Sequence, residues 1–394
     1  MTRNNTGASI IGWGETDFGE VPDKDYNDLN EQAAYEAMEQ ANVTPDEVDG
    51  IIAAPPIGGD ELGAVGASAL AEHLGLMPGL KYGSMQSIGG ASHIQHLLQA
   101  AEAINSGLCE NVLVLAADNM ATGLGRDAAV EAMAGAGHGE FETPYGPLIP
   151  SMYALAARKH MEEYGTTQEQ LAKIASIEYE HASLQPKERA QINESKTVEE
   201  VLESPMIATP LTLDQCSLVS DGGAALIVTD SESAHADHDT PIDILSVGEY
   251  DTHESIHQMP DLTTTGARQA GKQAFAAADV EHDDLDVIQI YDCFTITVLE
   301  VLEDLGFCEK GEGGELVESG ELELDGKWPM NTHGGELAQA HPGGPGGLMH
   351  ITEAVRQLWG EAGATQVEDA ETALVHGNGG ILSTQTVAIL ERGD

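Results

Sequence analysis

A chain of 394 residues is too long for one small core and predicts two domains or one large double unit. Its 67 Asp and Glu against 16 Lys and Arg give a formal net charge of -51, a surface that repels polyanions and excludes nucleic acid and anionic membrane as partners. Hydrophobic residues still make up 41%, and the acidity is spread along the chain, so the composition is that of a folded protein rather than a disordered acidic one.

In chain order, residues 8–12 predict a strand and about 29–40 a helix, in which Ala33, Ala34, Ala37, Met38 and Ala41 keep the spacing of a buried helical face. A turn over 42–49 leads to a second strand at 50–54. The small, Gly-rich stretch Tyr82-Gly-Ser-Met-Gln-Ser-Ile-Gly-Gly-Ala-Ser92 then enters a helix over 93–104. Ser106-Gly107 closes that helix before an apolar strand at 111–117. Ser87 stands at the helix entrance, facing unpaired backbone N–H groups and the positive end of the helix dipole. Such a position suits an oxygen nucleophile or a bound anion, and equally suits a plain turn or N-cap serine.

Residues from about 120 to 210 differ in character. A Gly- and Pro-rich loop over 135–150 precedes helices over 152–164 and 167–180 with charged outer faces, and a polar segment runs to 203. They predict a loop domain inserted before the last strand of a first half, Ser220-Asp-Gly-Gly-Ala-Ala-Leu-Ile-Val228. The opening order then returns as strand 242–247, helix 266–278, turn 279–286 and strand 287–290. Ala41, Val43, Asp46, Val48, Asp49 and Ile51 match Ala278, Val280, Asp283, Leu285, Asp286 and Ile288 at one offset. Gly89-Gly90-Ala-Ser-His93-Ile94 likewise matches Gly346-Gly347-Leu-Met-His350-Ile351, and the strand at 112–116 matches 373–376. A repeat of this length predicts a duplicated β-α-β unit whose helices cover a mostly parallel or mixed sheet, with halves over 1–238 and 239–394.

Cys109, Cys216, Cys293 and Cys308 are scattered without C-x-x-C spacing, which argues against a zinc ribbon within the chain and offers no disulfide framework. The remaining histidines show no ligand spacing, so no metal site is expected. Met1-Thr-Arg-Asn-Asn-Thr6 has no apolar signal run, and no stretch approaches a membrane span; a soluble, cytoplasmic protein is expected.

Five stretches carry a family resemblance: Ser87-Ile-Gly-Gly90; Ser220-Asp-Gly-Gly-Ala224; Tyr291-Asp-Cys-Phe294; Asn331-Thr-His-Gly-Gly335 with His341-Pro-Gly-Gly344 and Gly347; and Val375-His-Gly-Asn-Gly-Gly380. In order and kind they resemble the motifs of the thiolase superfamily over nearly the whole chain, particularly its sterol-carrier-type and archaeal members. The resemblance implies a five-layer α-β-α-β-α sandwich of two duplicated halves with an inserted loop domain. The departures are chemical. Ser87 stands in place of the nucleophilic Cys, His376 in place of the second Cys, Tyr291 in place of Asn or His, and Ala340 in place of a Gly, while the His of the His-Pro loop is kept as His341.

A serine hydroxyl needs a base, and His341 is the candidate. A neutral imidazole can also move the α-proton of acetyl-CoA, the task this reading gives to His376. Amides near Gly89, Gly90, Gly379 and Gly380 are candidates for a thioester oxyanion hole, and Tyr291 for holding a water or packing. The resemblance thus implies a β-ketothiolase with Ser-His-His, condensing acetyl-CoA with acyl-CoA by ping-pong acyl transfer, or running the reverse thiolysis. It implies coenzyme A thioesters as substrates without a bound cofactor, a homodimer through the sheet edge of the first half, and a separate small zinc-ribbon/OB-fold subunit. The composition resembles that of haloarchaeal proteins, for which molar salt shortens self-repulsion to about 3 Å. Two rival functions are a thiolase-like retro-aldolase and a non-catalytic acyl-CoA-binding scaffold. Such aldolases are similar in carrying Tyr-Asp-x-Phe, but have a second Tyr where this chain keeps His341.

Overall fold

A computed structural model describes residues 6–57, 65–123 and 134–393. Most of the opening hexapeptide, and residues 124–133 of the expected inserted domain, lie outside the described residues.

The first half comprises β1 (Ala8–Glu15), α1 (Tyr26–Ala41), β2 (Gly50–Ala53), α2 (Gly66–His73), β3 (Tyr82–Met85), α3 (Ser92–Asn105) and β4 (Asn111–Asn119). The inserted segment carries α4 (Ile149–Tyr164), α5 (Gln168–Leu184), α6 (Val198–Glu203) and a small hairpin of β5 (Met206–Ala208) and β6 (Leu211–Thr212). The chain then closes the first half with β7 (Asp221–Asp230) and α7 (Ser231–Asp237). The second half follows as β8 (Ile242–Asp251), α8 (Ala267–Ala278), β9 (Val287–Gln289), α9 (Thr295–Leu305), α10 (Gly313–Glu318), α11 (Gly346–Trp359), β10 (Thr372–Gly379) and β11 (Thr384–Arg392).

Strand order is β3-β2-β4-β7-β1-β8-β11-β10-β9. β2 runs parallel to β3 and β4, and β9 parallel to β10; the other neighbours are antiparallel. Only two residue pairs, Ser9 with Asp243 and Ile10 with Ile242, join β1 to β8, so two mixed sheets meet at one edge. The order on one side of that seam mirrors the other, and an isolated parallel bridge between Ile288 and Met330 stands where β3 would have its counterpart.

Burial follows the layers. Ile94, Leu97 and Ala101 of α3 share a core with Leu348, Ile351 and Val355 of α11 and with strands of both halves, which puts these two helices between the sheets. α1 and α2 cover the outer face of the first sheet. α8 and α9 cover the outer face of the second, with α4 and α5 packed beside them. The result is a five-layer α-β-α-β-α sandwich.

Physical causes for the repeated turn are visible twice. α1 ends on Asn42 and α8 on Asp279, both left-handed (φ 53° and 55°), as short polar residues allow at a helix end. The Asp49 carboxylate then accepts from the N–H groups of Glu110 (2.9 Å) and Asn111 (3.1 Å) at the start of β4. Asp286 does the same for Glu371 (2.8 Å) and Thr372 (2.9 Å) at the start of β10. The shared Asp therefore ties each β-α-β unit to its neighbouring parallel strand. α1 begins earlier than its apolar spacing indicates, because Asp25 and Asp28 form a capping box. β10 runs past residue 376 to Gly379, paired throughout with β11.

Candidate active site

The turn between β3 and α3 presents Ser87 on the surface of the chain. Its Oγ accepts from the Gly89 N–H (3.1 Å) and faces the Ser92 hydroxyl at 3.4 Å. Ser92 Oγ accepts from Ile88 N–H (2.8 Å) and donates to the Gly89 carbonyl, which braces the turn from within. Gly89 needs its left-handed φ of +72°, and it backs onto the β10–β11 loop so closely that a Cβ would lie 2.9 Å from Gly379 Cα and 3.0 Å from Gly380 N. At Gly90 a Cβ would fall 2.0 Å from the ring of Tyr291. The Ser87 turn therefore rests on Tyr291 and on Gly379–Gly380.

Tyr291 meets His341. The phenol oxygen is 3.3 Å from His341 Nε2, while His341 Nδ1–H donates to the Leu218 carbonyl at 3.2 Å. The second contact sets the tautomer and leaves Nε2 as the acceptor. Desolvation pushes the imidazole down to about 4, so it is a free base at neutral pH. Burial, then the neighbouring Glu336 carboxyl, hold the Tyr291 phenol well above its ordinary range, so it is a proton donor. Glu336, just behind, has Oε2 3.6 Å from His341 Nε2. Beneath them, burial alone would raise Asp292, but His350 Nε2 at 3.2 Å, the Glu178 carboxyl and a backbone N–H together keep this carboxylate below its usual range. The Leu337 N–H also donates to Asp292, at 2.9 Å.

His376 lies within β10, opposite Val387, and is fully buried. The cause is the continued pairing with β11. Side chains alternate along a strand, and the face of Gly377 and Gly379 is the one that touches the Ser87 turn, at Gly90, Ala91 and Ile88. His376 points the other way with Asn378. Its Nε2–H donates to Gln385 Oε1 (2.7 Å), and burial pushes the ring down to about 3. Gln385 in turn donates to Asn378 (2.7 Å), Asn378 to Tyr153 (2.9 Å), and Tyr153 to the Gly380 carbonyl (2.9 Å). His376 thus reaches the loop of Gly380 (φ +60°) through a directional chain of hydrogen bonds, not by facing Ser87.

Ser87 Oγ, for its part, forms no hydrogen bond with either ring among the described residues. Of the sequence candidates, Tyr291 and His341 meet directly, while Ser87 and Gly380 adjoin Tyr291 and the loop through their own turns. Sequence reasoning missed Glu336 and Tyr153. Glu336 sits inside the motif that ends in His341, and an acidic residue five positions before that histidine was the available signal; Tyr153 arrives from the inserted domain with none.

Among the described residues no group of three His, Cys, Asp or Glu is placed to hold a metal ion, and no helix is long and apolar enough to cross a membrane.

Comparison with known proteins matches residues 8–232 to the family described as "Thiolase, N-terminal domain" and residues 248–392 to "Thiolase C-terminal domain-like". An acetyl-CoA acetyltransferase of Methanothermobacter thermautotrophicus is 36% identical over 389 residues, covering 98% of this chain and 99% of that one. A steroid side-chain-cleaving aldolase of Thermomonospora curvata is 31% identical, covering 95% of each. The solved structure titled "Ltp2-ChsH2(DUF35) aldolase" superposes with a TM-score of 0.84 at 30% identity, covering 98% of both chains. With both family regions matched along the chain, and with the sandwich they imply in place, the protein belongs to the thiolase superfamily.

Proposed function

We propose that the chain is a β-ketothiolase acting on coenzyme A thioesters, with Ser87 as nucleophile and His341 as its base. Kinship at 36% and 34% identity with acetyl-CoA acetyltransferases, over nearly the full length, makes it an acyltransferase. The observation that carries the reaction is the unprotonated Nε2 of His341, held by Leu218 in one tautomer and 3.3 Å from Tyr291, whose ring in turn bears the Ser87 turn at Gly90.

Ser87 attacks the C3 carbonyl of a 3-ketoacyl-CoA as His341 takes the hydroxyl proton. Amides of the Ser87 turn and of Gly380, backed against one another, supply donors to the oxyanion. Tyr291 keeps its proton and orients the imidazole. The Ser87–His341 contact is expected to close around substrate, as catalytic hydrogen bonds commonly do. His376, turned from the nucleophile, supports the Gly380 loop through Gln385, Asn378 and Tyr153. The edge strand β3 is the proposed dimer seam. A separate small zinc-ribbon/OB-fold subunit is the proposed partner, in keeping with a neighbour whose title pairs an aldolase with ChsH2(DUF35). Full activity of the purified chain alone, with no small protein retained on co-expression, would remove that partner.

A retro-aldolase reading is favoured by one observation, the buried Tyr291 hydroxyl against His341, and by the two aldolases among the similar proteins. Thiolysis of acetoacetyl-CoA by the protein and its Ser87→Ala variant separates the two. The thiolase reading expects CoA-dependent cleavage that the variant loses by at least about 100-fold. Cleavage of a 3-hydroxyacyl-CoA to a ketone or aldehyde, undiminished in the variant, would replace it with the aldolase.

A further inference from the structure

Glu336 lies in the π-helical turn Gly335–Gln339 that leads to His341. Such turns are rare and are found chiefly where side chains must be re-aimed for function. Its side chain is buried, yet among the described residues neither carboxyl oxygen has a partner in good hydrogen-bond geometry; the Tyr291 hydroxyl lies beside it and eases its charged form only in part. An unpartnered buried carboxyl is costly, and native proteins seldom keep one without a task. Gly346, at the start of α11, makes the room: a Cβ there would lie 2.4 Å from Glu336 Oε1 and 3.0 Å from His341 Cδ2. Leu218 pins both groups, its N–H donating to the Glu336 carbonyl (3.1 Å) and its carbonyl accepting from His341 Nδ1.

The titratable groups facing Glu336 are Tyr291, His341 and Asp292, with His350, Cys293 and the Glu178 carboxyl behind them. Burial, then the Asp292 charge, raise Glu336 well above the ordinary carboxylate range, while desolvation pushes His341 down to about 4. Two neighbours whose environments drive them in opposite directions make an acid and a base at one pH. His376, on the far face of β10, leaves the second proton-transfer task without a group, and Glu336 is the carboxyl beside the site.

We propose that Glu336 is the general acid–base that exchanges a proton with the α-carbon of the acetyl-CoA unit, while His341 serves Ser87. The inference rests on the thiolase reading of the site, although the enolate of a retro-aldol cleavage needs the same proton. In thiolysis, the Ser87 Oγ–C3 bond forms, His341 takes the serine proton, and the C2–C3 bond breaks with its electron pair going to C2. The Glu336 proton goes to C2, giving acetyl-CoA and leaving a Glu336 carboxylate beside a His341 imidazolium. These opposite charges stabilise one another at the 3.6 Å separation. His341 then passes its proton to Glu336, takes the thiol proton of incoming coenzyme A as sulfur attacks the acyl group, and gives it to the departing serine oxygen. The site regains its starting protonation.

Two partial reactions test this with the full chain. Deuterium uptake into the methyl group of acetyl-CoA in D2O reads α-carbon proton transfer; exchange of labelled CoA into acetyl-CoA reads acylation of Ser87 alone. Glu336→Gln should slow deuterium uptake at least about 100-fold, the usual worth of a general acid–base, while CoA exchange falls less than about tenfold. Glu336→Asp should recover part of the uptake. Wild-type uptake in Glu336→Gln, or equal loss of both reactions as from simple misfolding, would overturn the assignment. A wild-type chain without deuterium uptake would overturn it too. Uptake without CoA exchange in the wild type would instead strike out acylation of Ser87 and leave Glu336 standing.

Discussion

Gly90→Ala tests the contact on which the site depends. At an unhindered site whose φ suits alanine, this change stabilises a protein by about 0.4–1 kcal/mol, because it restricts the unfolded chain. Here the new Cβ would fall 2.0, 2.2 and 2.4 Å from Cε2, Cζ and the hydroxyl oxygen of Tyr291. Carbon atoms rest at about 3.5–4.0 Å, so the ring or the turn must yield by roughly 1.5 Å. Neither side has slack, since Gly89 is already against Gly379 and the phenol against His341. Overpacking of this kind costs about 1–3 kcal/mol, which outweighs the entropic gain, so a net loss is expected. A displacement near 1 Å in a site also lowers turnover by about 100-fold. Chemical denaturation and acetoacetyl-CoA thiolysis measure the two effects. Adding Tyr291→Ala, which removes the ring, should recover stability but not turnover. A Gly90→Ala protein with wild-type stability and turnover would refute the packing argument and the place of Tyr291 in the site.

Acid should weaken the fold through its buried imidazoles. His93 and His341 are pushed from 6.5 to about 4, and His96 and His376 to about 3, by desolvation. Between pH 6.5 and those values the unfolded chain binds protons that the folded one refuses. Stability therefore rises with pH across this window and is complete above it; an unfolding midpoint that stays constant from pH 7 to 4.5 would contradict this. The same shift puts the acid limb of kcat/KM near 4 rather than 6.5, if His341 is the base. Asp286→Ala removes the acceptor for two N–H groups at the start of β10 and should cost roughly 2 kcal/mol in denaturant unfolding, while a change below about 0.5 would make that tie idle. His376→Asn, as a support behind the strand, should lower the thermal midpoint yet slow deuterium uptake by acetyl-CoA less than about tenfold; abolished uptake would restore His376 as the base. Dilution from molar to about 0.1 M salt should lower the thermal midpoint, because a net charge of -51 is then screened over about 10 Å instead of 3 Å.

Periodic and local signals were enough for the duplicated β-α-β unit. Alanines at helical spacing, the Asp of the duplicated turn and the Gly-rich entry to α3 each act through neighbours close in sequence or through backbone hydrogen bonds, so the doubled plan of helices on a mixed sheet was readable from residue order, while the five layers followed only from the resemblance of the motifs to the thiolase superfamily. The end of β10 was not readable, because nothing between His376 and Gly379 states that pairing with β11 continues. That continuation, by strand alternation, turns His376 from Ser87 and puts Gly377 and Gly379 against the Ser87 turn. Glu336 carries only a weak local mark, its place five positions before His341. Its meaning comes from Tyr291, Asp292, His341 and Gly346, brought around it by a loop, a π-turn and a helix start. Composition and spacing determined which groups the chain carries and the frame that holds them; which of those groups share one desolvated space was decided only when the loops of the second half closed on one another and against Leu218 and the Ser87 turn.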